Sequence, residues 1–266
     1  MKLVSKFAGL SAALLLASAS ASASVTTWDY SITSLFTYAS YTSGASGAVS
    51  TGTLAWGTST GQGQSSLVVS GSPATGSVDT YLGLTPPQDI PYLGFSTSLT
   101  HNNHPITGTS LTAAVLSNYV TLNPLVPDNP ALSPFSFLFD IAFTETPNSG
   151  TCAVSGSPTP CNDIFVLTSG LLNSQFDYDD GTGTSTYYVN IFPVTGGVLS
   201  VLENSACAAA GQDAGCIGFS TPEGLSTTLA FGFTISTEPL QVPEPSILAL
   251  LGLGMLGLFA WRRRQS

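Results

Sequence analysis

Phe135, Phe137, Phe139, Ile141 and Phe143 occupy five successive alternate positions, with Ser136 and Asp140 between them. Only an extended strand sends every second side chain to one face, so the run predicts a half-buried β-strand. Leu229, Phe231, Phe233 and Ile235 repeat the period near the end of the chain. Shorter β-like runs are Trp28–Phe36, Thr53–Trp56, Ser66–Val69, Leu93–Leu99, Thr112–Leu122, Ile164–Thr168, Thr186–Phe192 and Val198–Leu202. Turn residues separate them, as at Asp180-Gly181 and Gly196-Gly197. No body segment shows a sustained helical period with caps; Leu111–Val120 alone also reads as a helix. Many short strands with short turns predict an all-β chain, an antiparallel β-sandwich or jelly roll in a single domain. Ser40–Gly76, rich in Gly, Ser and Thr, reads as a loose loop region with two strands in it. Pro124–Pro134 reads as an ordered crossover loop.

Charge narrows the function classes. All five Lys and Arg residues lie at the ends: Lys2, Lys6, Arg262, Arg263 and Arg264. From Ser24 to Val242 there are fourteen carboxylates and no Lys or Arg. Nothing in that body can neutralise a phosphate, which excludes electrostatic capture of nucleic acid or of an anionic lipid surface. Lysine Schiff-base chemistry and arginine clamps are excluded too. The body surface must be covered mainly by Ser, Thr, Asn and Gly.

The two ends read as addresses. Lys2 and Lys6, the apolar run Phe7–Ala17 and Ala21-Ser22-Ala23 form a secretory signal peptide over residues 1–23, cut after Ala23, with Ala19 and Ala21 as alternatives. The body then spans residues 24–236 and a short stalk residues 237–242. Residues 243–266 hold Pro243-Glu244-Pro245, an apolar run Ile247–Trp261, and Arg262, Arg263 and Arg264. As a hydrophobic helix the run would be ~22 Å long, short of the ~30 Å hydrocarbon core. The three arginines would hold the end in the cytoplasm. Three features in this order resemble the PEP-CTERM sorting signal of Gram-negative bacteria. The resemblance implies that an exosortase, a membrane cysteine transpeptidase, recognises the tail and processes it near Pro-Glu-Pro. It further implies transient inner-membrane anchoring through 247–261, then delivery to the cell surface or extracellular matrix of exopolysaccharide-producing, biofilm-type cells.

Four cysteines in an exported chain suggest disulfides. Of the three possible connectivities, the local bridges Cys152–Cys161 and Cys207–Cys216 are favoured, because each closes a short Gly/Ala/Pro-rich loop of ten residues counting its cysteines. The alternative, a four-thiolate metal site, prefers closer spacing.

Both histidines fall in Thr100-His101-Asn102-Asn103-His104-Pro105. Thr100, His101 and Asn103 resemble the signature of the THxN family of PEP-CTERM proteins, whose body function is uncharacterised. Residues i and i+3 of a strand point to opposite faces, so His101 and His104 cannot easily share an ion. A polar corner, with His101 bonded to a carbonyl, is the expectation. Asp177, Asp179 and Asp180 crowd beside Gly181 and Gly183. They are weak calcium candidates, because position five of the loop pattern is Gly181 and position twelve is Tyr188; a hairpin turn explains them equally. Gly57-Thr58-Ser59-Thr60-Gly61 matches a nucleophile elbow without the helix that motif needs. Trp28 and Trp56 would serve as sugar platforms or as core.

The sequence therefore predicts an exported, non-enzymatic protein without a cofactor, resident metal or nucleic-acid partner. Its expected role is structural or adhesive in an exopolysaccharide matrix, with exosortase as partner during sorting. The alternatives are a glycan-binding module, calcium-dependent in one version, and a secreted hydrolase.

Overall fold

A computed structural model of the chain describes residues 24–154, 157–169, 172–180, 183–194 and 198–241. The signal peptide, the sorting residues Pro243, Glu244, Pro245, Arg262, Arg263 and Arg264, and Gly181, Gly196 and Gly197 lie outside them.

The chain is all-β, and every strand pairing within its sheets is antiparallel. In chain order the first strands are β1 (Thr27–Tyr41), β2 (Ser46–Thr51), β3 (Thr53–Trp56), β4 (Thr58–Ser59), β5 (Ser65–Ser70) and β6 (Ala74–Asp79). They are followed by β7 (Gly94–Asn102), β8 (Ile106–Thr107), β9 (Leu111–Val126), β10 (Phe135–Thr144), β11 (Asp163–Leu167) and β12 (Ser174–Asp179). The chain continues with β13 (Thr184–Pro193), β14 (Ser200–Val201), α1 (Asn204–Ala209), β15 (Ile217–Thr221) and β16 (Ser226–Ser236). One large sheet runs β14-β15-β11-β10-β9-β1-β2, with β6 also on β1; a second runs β12-β13-β16-β7-β5-β3, and β4 pairs with β8 in a small two-stranded sheet. Their inner faces share one apolar core, giving a single-domain sandwich.

On β10 the alternation is met: Phe139, Ile141 and Phe143 are buried while Ser136, Leu138 and Asp140 are exposed. On β1 the buried set is Trp28, Tyr30, Ile32, Ser34 and Phe36, and then Ala39. The change from even to odd numbers falls at a register shift between Phe36 and Tyr38. A bulge adds one residue and so returns the far half of the strand to the core. Trp28 is fully buried, with Phe176, Tyr178 and Tyr187 edge-on around it at 5.1–5.7 Å. Its Nε1–H donates to Thr80 Oγ1 at 2.9 Å, which satisfies the one polar atom this ring brings inside. Gly94 is required where β7 meets the core, because a Cβ there would lie 2.2 Å from Phe233 Cε1.

Ile164, Phe165, Val166 and Leu167 are buried without alternation. The helix α1 explains this, since Ala206 packs on Ile164 and Val166 from outside the sheet. That helix is a departure from the sequence reading, which expected none. Strands β2, β6, β12 and β15 were also illegible, because Gly, Ser, Asp and Gln dilute their period. Pro124 corrects the crossover reading: it pairs with Trp28 inside β9, and the loop begins only after Val126. Leu111–Val120 is strand, not helix.

Both local disulfides form, Cys152–Cys161 with Cα atoms 5.4 Å apart and Cys207–Cys216 with 5.7 Å. Among the described residues no helix is long and apolar enough to cross a membrane.

Neighbouring truncations test the register. Phe139→Ala is expected to lower stability to urea by ~3–5 kcal/mol, and Leu138→Ala by less than ~0.5 kcal/mol. Replacing Cys152 and Cys161 together by Ser should cost ~2–3 kcal/mol by chain entropy. Equal losses at 138 and 139 would refute the inward assignment.

Candidate functional site

The Thr100–Asn103 motif ends β7, where strand alternation sends His101 and Asn103 to the same inner face. Both are fully buried. Thr100 faces outward, and its hydroxyl bonds Thr228 Oγ1 at 2.9 Å. The spacing of His and Asn is thus the i, i+2 spacing of a single strand face. Asn103 fastens the turn between β15 and β16. Its Nδ2 donates to Thr221 O at 2.9 Å, its N–H to Leu225 O at 2.9 Å, and its carbonyl accepts from Gly224 N–H at 3.0 Å.

His101 corrects the polar-corner reading. It bonds no carbonyl; neither ring nitrogen has a hydrogen-bond partner. The ring lies parallel to Trp56 at 5.9 Å and edge-on to Phe143 at 4.9 Å. Its Nε2 is 3.8 Å from Asp163 Oδ2. Burial first, then the neighbouring His104, lowers its pKa to about 3, so the imidazole is neutral and this contact is no ion pair.

Three carboxyls from distant segments gather at this end of the sandwich. Glu145 follows β10, Asp163 opens β11, and Glu223 sits in the β15–β16 turn. Glu145 Oε2 accepts from Trp56 Nε1–H at 2.8 Å. Asp163 Oδ1 accepts from the Thr146 N–H at 2.8 Å and the Thr146 hydroxyl at 3.2 Å. Glu145 Oε1 and Asp163 Oδ2 then have no conventional donor. The two carboxyls instead face each other's charge in an interior that holds no cation. Burial, reinforced for Asp163 by the charge of Glu145, pushes Asp163 up to about 9; burial pushes Glu145 up to about 7. Burial also raises Glu223. The arrangement stores a proton in a cationless interior and ties β3, β10 and β11 together.

The other sequence candidates lie apart from this cluster. Asp177 and Asp179 share the exposed face of β12, and Asp177 Oδ1 accepts from the Thr186 hydroxyl at 2.7 Å. Asp180 Oδ1 accepts from Gly183 N–H at 3.2 Å across the hairpin turn. Among the described residues no group of three or more His, Cys, Asp and Glu is arranged to hold a metal ion. Ser59 in the elbow-like stretch accepts from Gly61 and Gly63 N–H groups in an exposed loop, and no helix follows. Trp28 and Trp56 are core residues, 0% and 2% exposed. A groove of about 570 Å³ lies between the start of β10 and β12, lined by Phe135, Phe137, Phe176, Gln175, Asp177 and Asp179 among others. Nothing local marked Glu145 or Glu223 in the sequence. Asp163 had one signal, its place directly before an unbroken apolar run.

The family model of the PEP-CTERM protein-sorting motif fits residues 241–264. No curated protein matches the chain. The chain therefore carries a PEP-CTERM sorting motif, which marks it for export and exosortase recognition, with a membrane-anchored signal and then a surface or extracellular destination. The match does not reach Thr100–Asn103.

The buried groups set a pH profile. Unfolded, the carboxyls titrate near ~4 and histidine near ~6.5. Above pH ~6.5 the folded state holds the extra proton, so stability falls as pH rises toward about 9, by up to ~1.4 kcal/mol per unit. Below pH ~6.5 the unfolded His101 takes up a proton that the folded one refuses, so that contribution is lost as pH falls toward about 3. The carboxyls oppose that loss down to about pH ~4. Asp163→Asn keeps an acceptor for Thr146 and gives Glu145 an N–H donor; it should flatten the alkaline limb of a thermal-denaturation series. An unchanged limb in that variant would refute a proton retained on Asp163.

Proposed function

We propose that this protein is a structural or adhesive component of the exopolysaccharide matrix of a Gram-negative bacterium. On this reading the signal peptide is removed after Ala23. Exosortase then processes the tail near Pro243-Glu244-Pro245, and the disulfide-bonded β-sandwich reaches the surface or matrix. The observation that carries the reading is the sorting motif at residues 241–264 attached to a folded body without Lys or Arg. A cationless body suits that setting, because it offers trypsin-like proteases no cleavage site and its like-charged copies repel rather than aggregate.

A second reading, a glycan-binding module, is favoured by the groove between β10 and β12. Its aromatic edges and its carboxylate and amide side chains are the group types that hold sugars. The groove would bind an uncharged glycan directly, and an acidic one only through a cation such as calcium bridged by Asp177 and Asp179. The burial of both body tryptophans weighs against a broad stacking platform.

Intact mass and fractionation of the native protein test the first reading. The expected product lacks Ile247–Ser266, is two hydrogens lighter per disulfide bridge, and is found outside the inner membrane. A full-length chain retained in the inner membrane would overturn it. Phe137→Ala should weaken retention on immobilised neutral polysaccharide if the groove binds glycan; retention unchanged by that substitution, or absent in the parent protein, would remove the second reading.

A further inference from the structure

The loop joining β6 to β7, residues 80–93, exposes apolar side chains. Leu82 and Ile90 are each 74% exposed, Leu84 46% and Tyr92 39%. The loop is ordered rather than loose. The Tyr81 and Tyr92 rings approach to 5.5 Å. Asp79 N–H donates to Pro91 O at 3.0 Å, and Tyr81 N–H to Ile235 O at 2.7 Å. An apolar surface held in place, rather than buried by its own fold, marks an interaction site.

The chain leaves the body at this loop. Thr237 N–H donates to Tyr81 O at 3.3 Å, and Gln241 N–H donates to Leu84 O at 2.6 Å. Between them Leu240 is buried, and its N–H donates to Asn173 Oδ1 at 2.6 Å. Ile247–Trp261 begins six residues after Gln241, a reach of at most ~20 Å for extended chain. Whenever that run lies in a bilayer, the loop is held within that distance of the surface. The run is also short for a bilayer, and short spans draw their flanking parts into the interface. Aliphatic side chains with a tyrosine suit the boundary between headgroups and acyl chains. The loop's one charged residue is Asp89, so its attraction cannot come from anionic lipid.

We propose that the 80–93 loop rests on the bilayer that holds the C-terminal tail, with Leu82, Leu84 and Ile90 entering the headgroup–acyl boundary and Tyr92 at headgroup level. This rests on the tail being membrane-held. It presses Val242–Ser246 against the membrane surface, where a membrane enzyme works. It also turns the His101 end of β7 away from the bilayer, since β7 starts beside the loop and ends at Asn102.

The four native cysteines are bridged, so an introduced cysteine is the one free thiol. Full-length Ile90→Cys, Gln62→Cys and Leu253→Cys proteins would carry an environment-sensitive fluorophore and be reconstituted in phosphatidylcholine vesicles. Expected are a blue shift and a several-fold fall in acrylamide quenching at 90 and 253, with no change at 62, and no gain at 90 on adding phosphatidylglycerol. Protection at 253 with position 90 as quenchable as 62 would overturn the loop proposal and leave the tail reading intact. Quenching at both 253 and 90 would overturn the two together. Protection at 90 before any lipid is added would assign the patch to Ile247–Trp261 and also overturn it.

Discussion

The absence of any Lys or Arg between Ser24 and Val242 is the constraint to which the rest of this structure answers. Most proteins neutralise a buried carboxylate with a guanidinium or ammonium group. Here the only candidates are two histidines, and His101 is itself too buried to charge. Neutral donors and protons are what remain. Glu145 and Asp163 use both: an indole N–H on one, a threonine N–H and hydroxyl on the other, and a proton that burial and the charge of Glu145 hold on Asp163. Ionising both carboxyls would place two like charges side by side in a poorly solvated interior, which costs far more than the proton.

The same constraint shapes what could be read from the sequence. Strands with an unbroken apolar alternation were legible because apolar residues alone can specify a buried face: Phe139, Ile141 and Phe143 on one strand, Leu229, Phe231, Phe233 and Ile235 on another. Strands whose outer faces are Ser, Thr and Gly were not, because with so few charged residues the polar half of the alternation resembles a loop. β6, Ala74–Asp79, buries Val78 and otherwise reads as linker. The bulge in β1 was hidden for a different reason. It is a tertiary adjustment, visible as a parity change only once Ala39 is known to be buried.

The site was half legible. Thr100, His101 and Asn103 stood out as a motif, but the partners that give the motif meaning lie 42 residues or more along the chain at 145, 163 and 223. A strand end collects residues from several hairpins, and no local spacing encodes which carboxyls will meet. The error about His101 follows from this. A polar corner is the natural reading of His-Asn-Asn-His seen alone, and a ring packed against Trp56 and Phe143 is the outcome when other strands supply the surroundings.

Strand direction then divides the labour of the fold. β7 and β16 run between two ends of unlike chemistry. At one, polar side chains and a stored proton close the sandwich around Asn103. At the other, an ordered loop leaves aliphatic groups in solvent beside the point where the chain departs toward Ile247. An exported protein that was free in solution throughout its life would gain nothing from holding Leu82 and Ile90 outward. A protein tethered by a short apolar segment, even transiently, has a surface waiting for those side chains within reach of the tether. The apolar end and the tail are therefore one feature of the chain, separated in sequence by β7 through β16 and rejoined by the hydrogen bonds of residues 237–241.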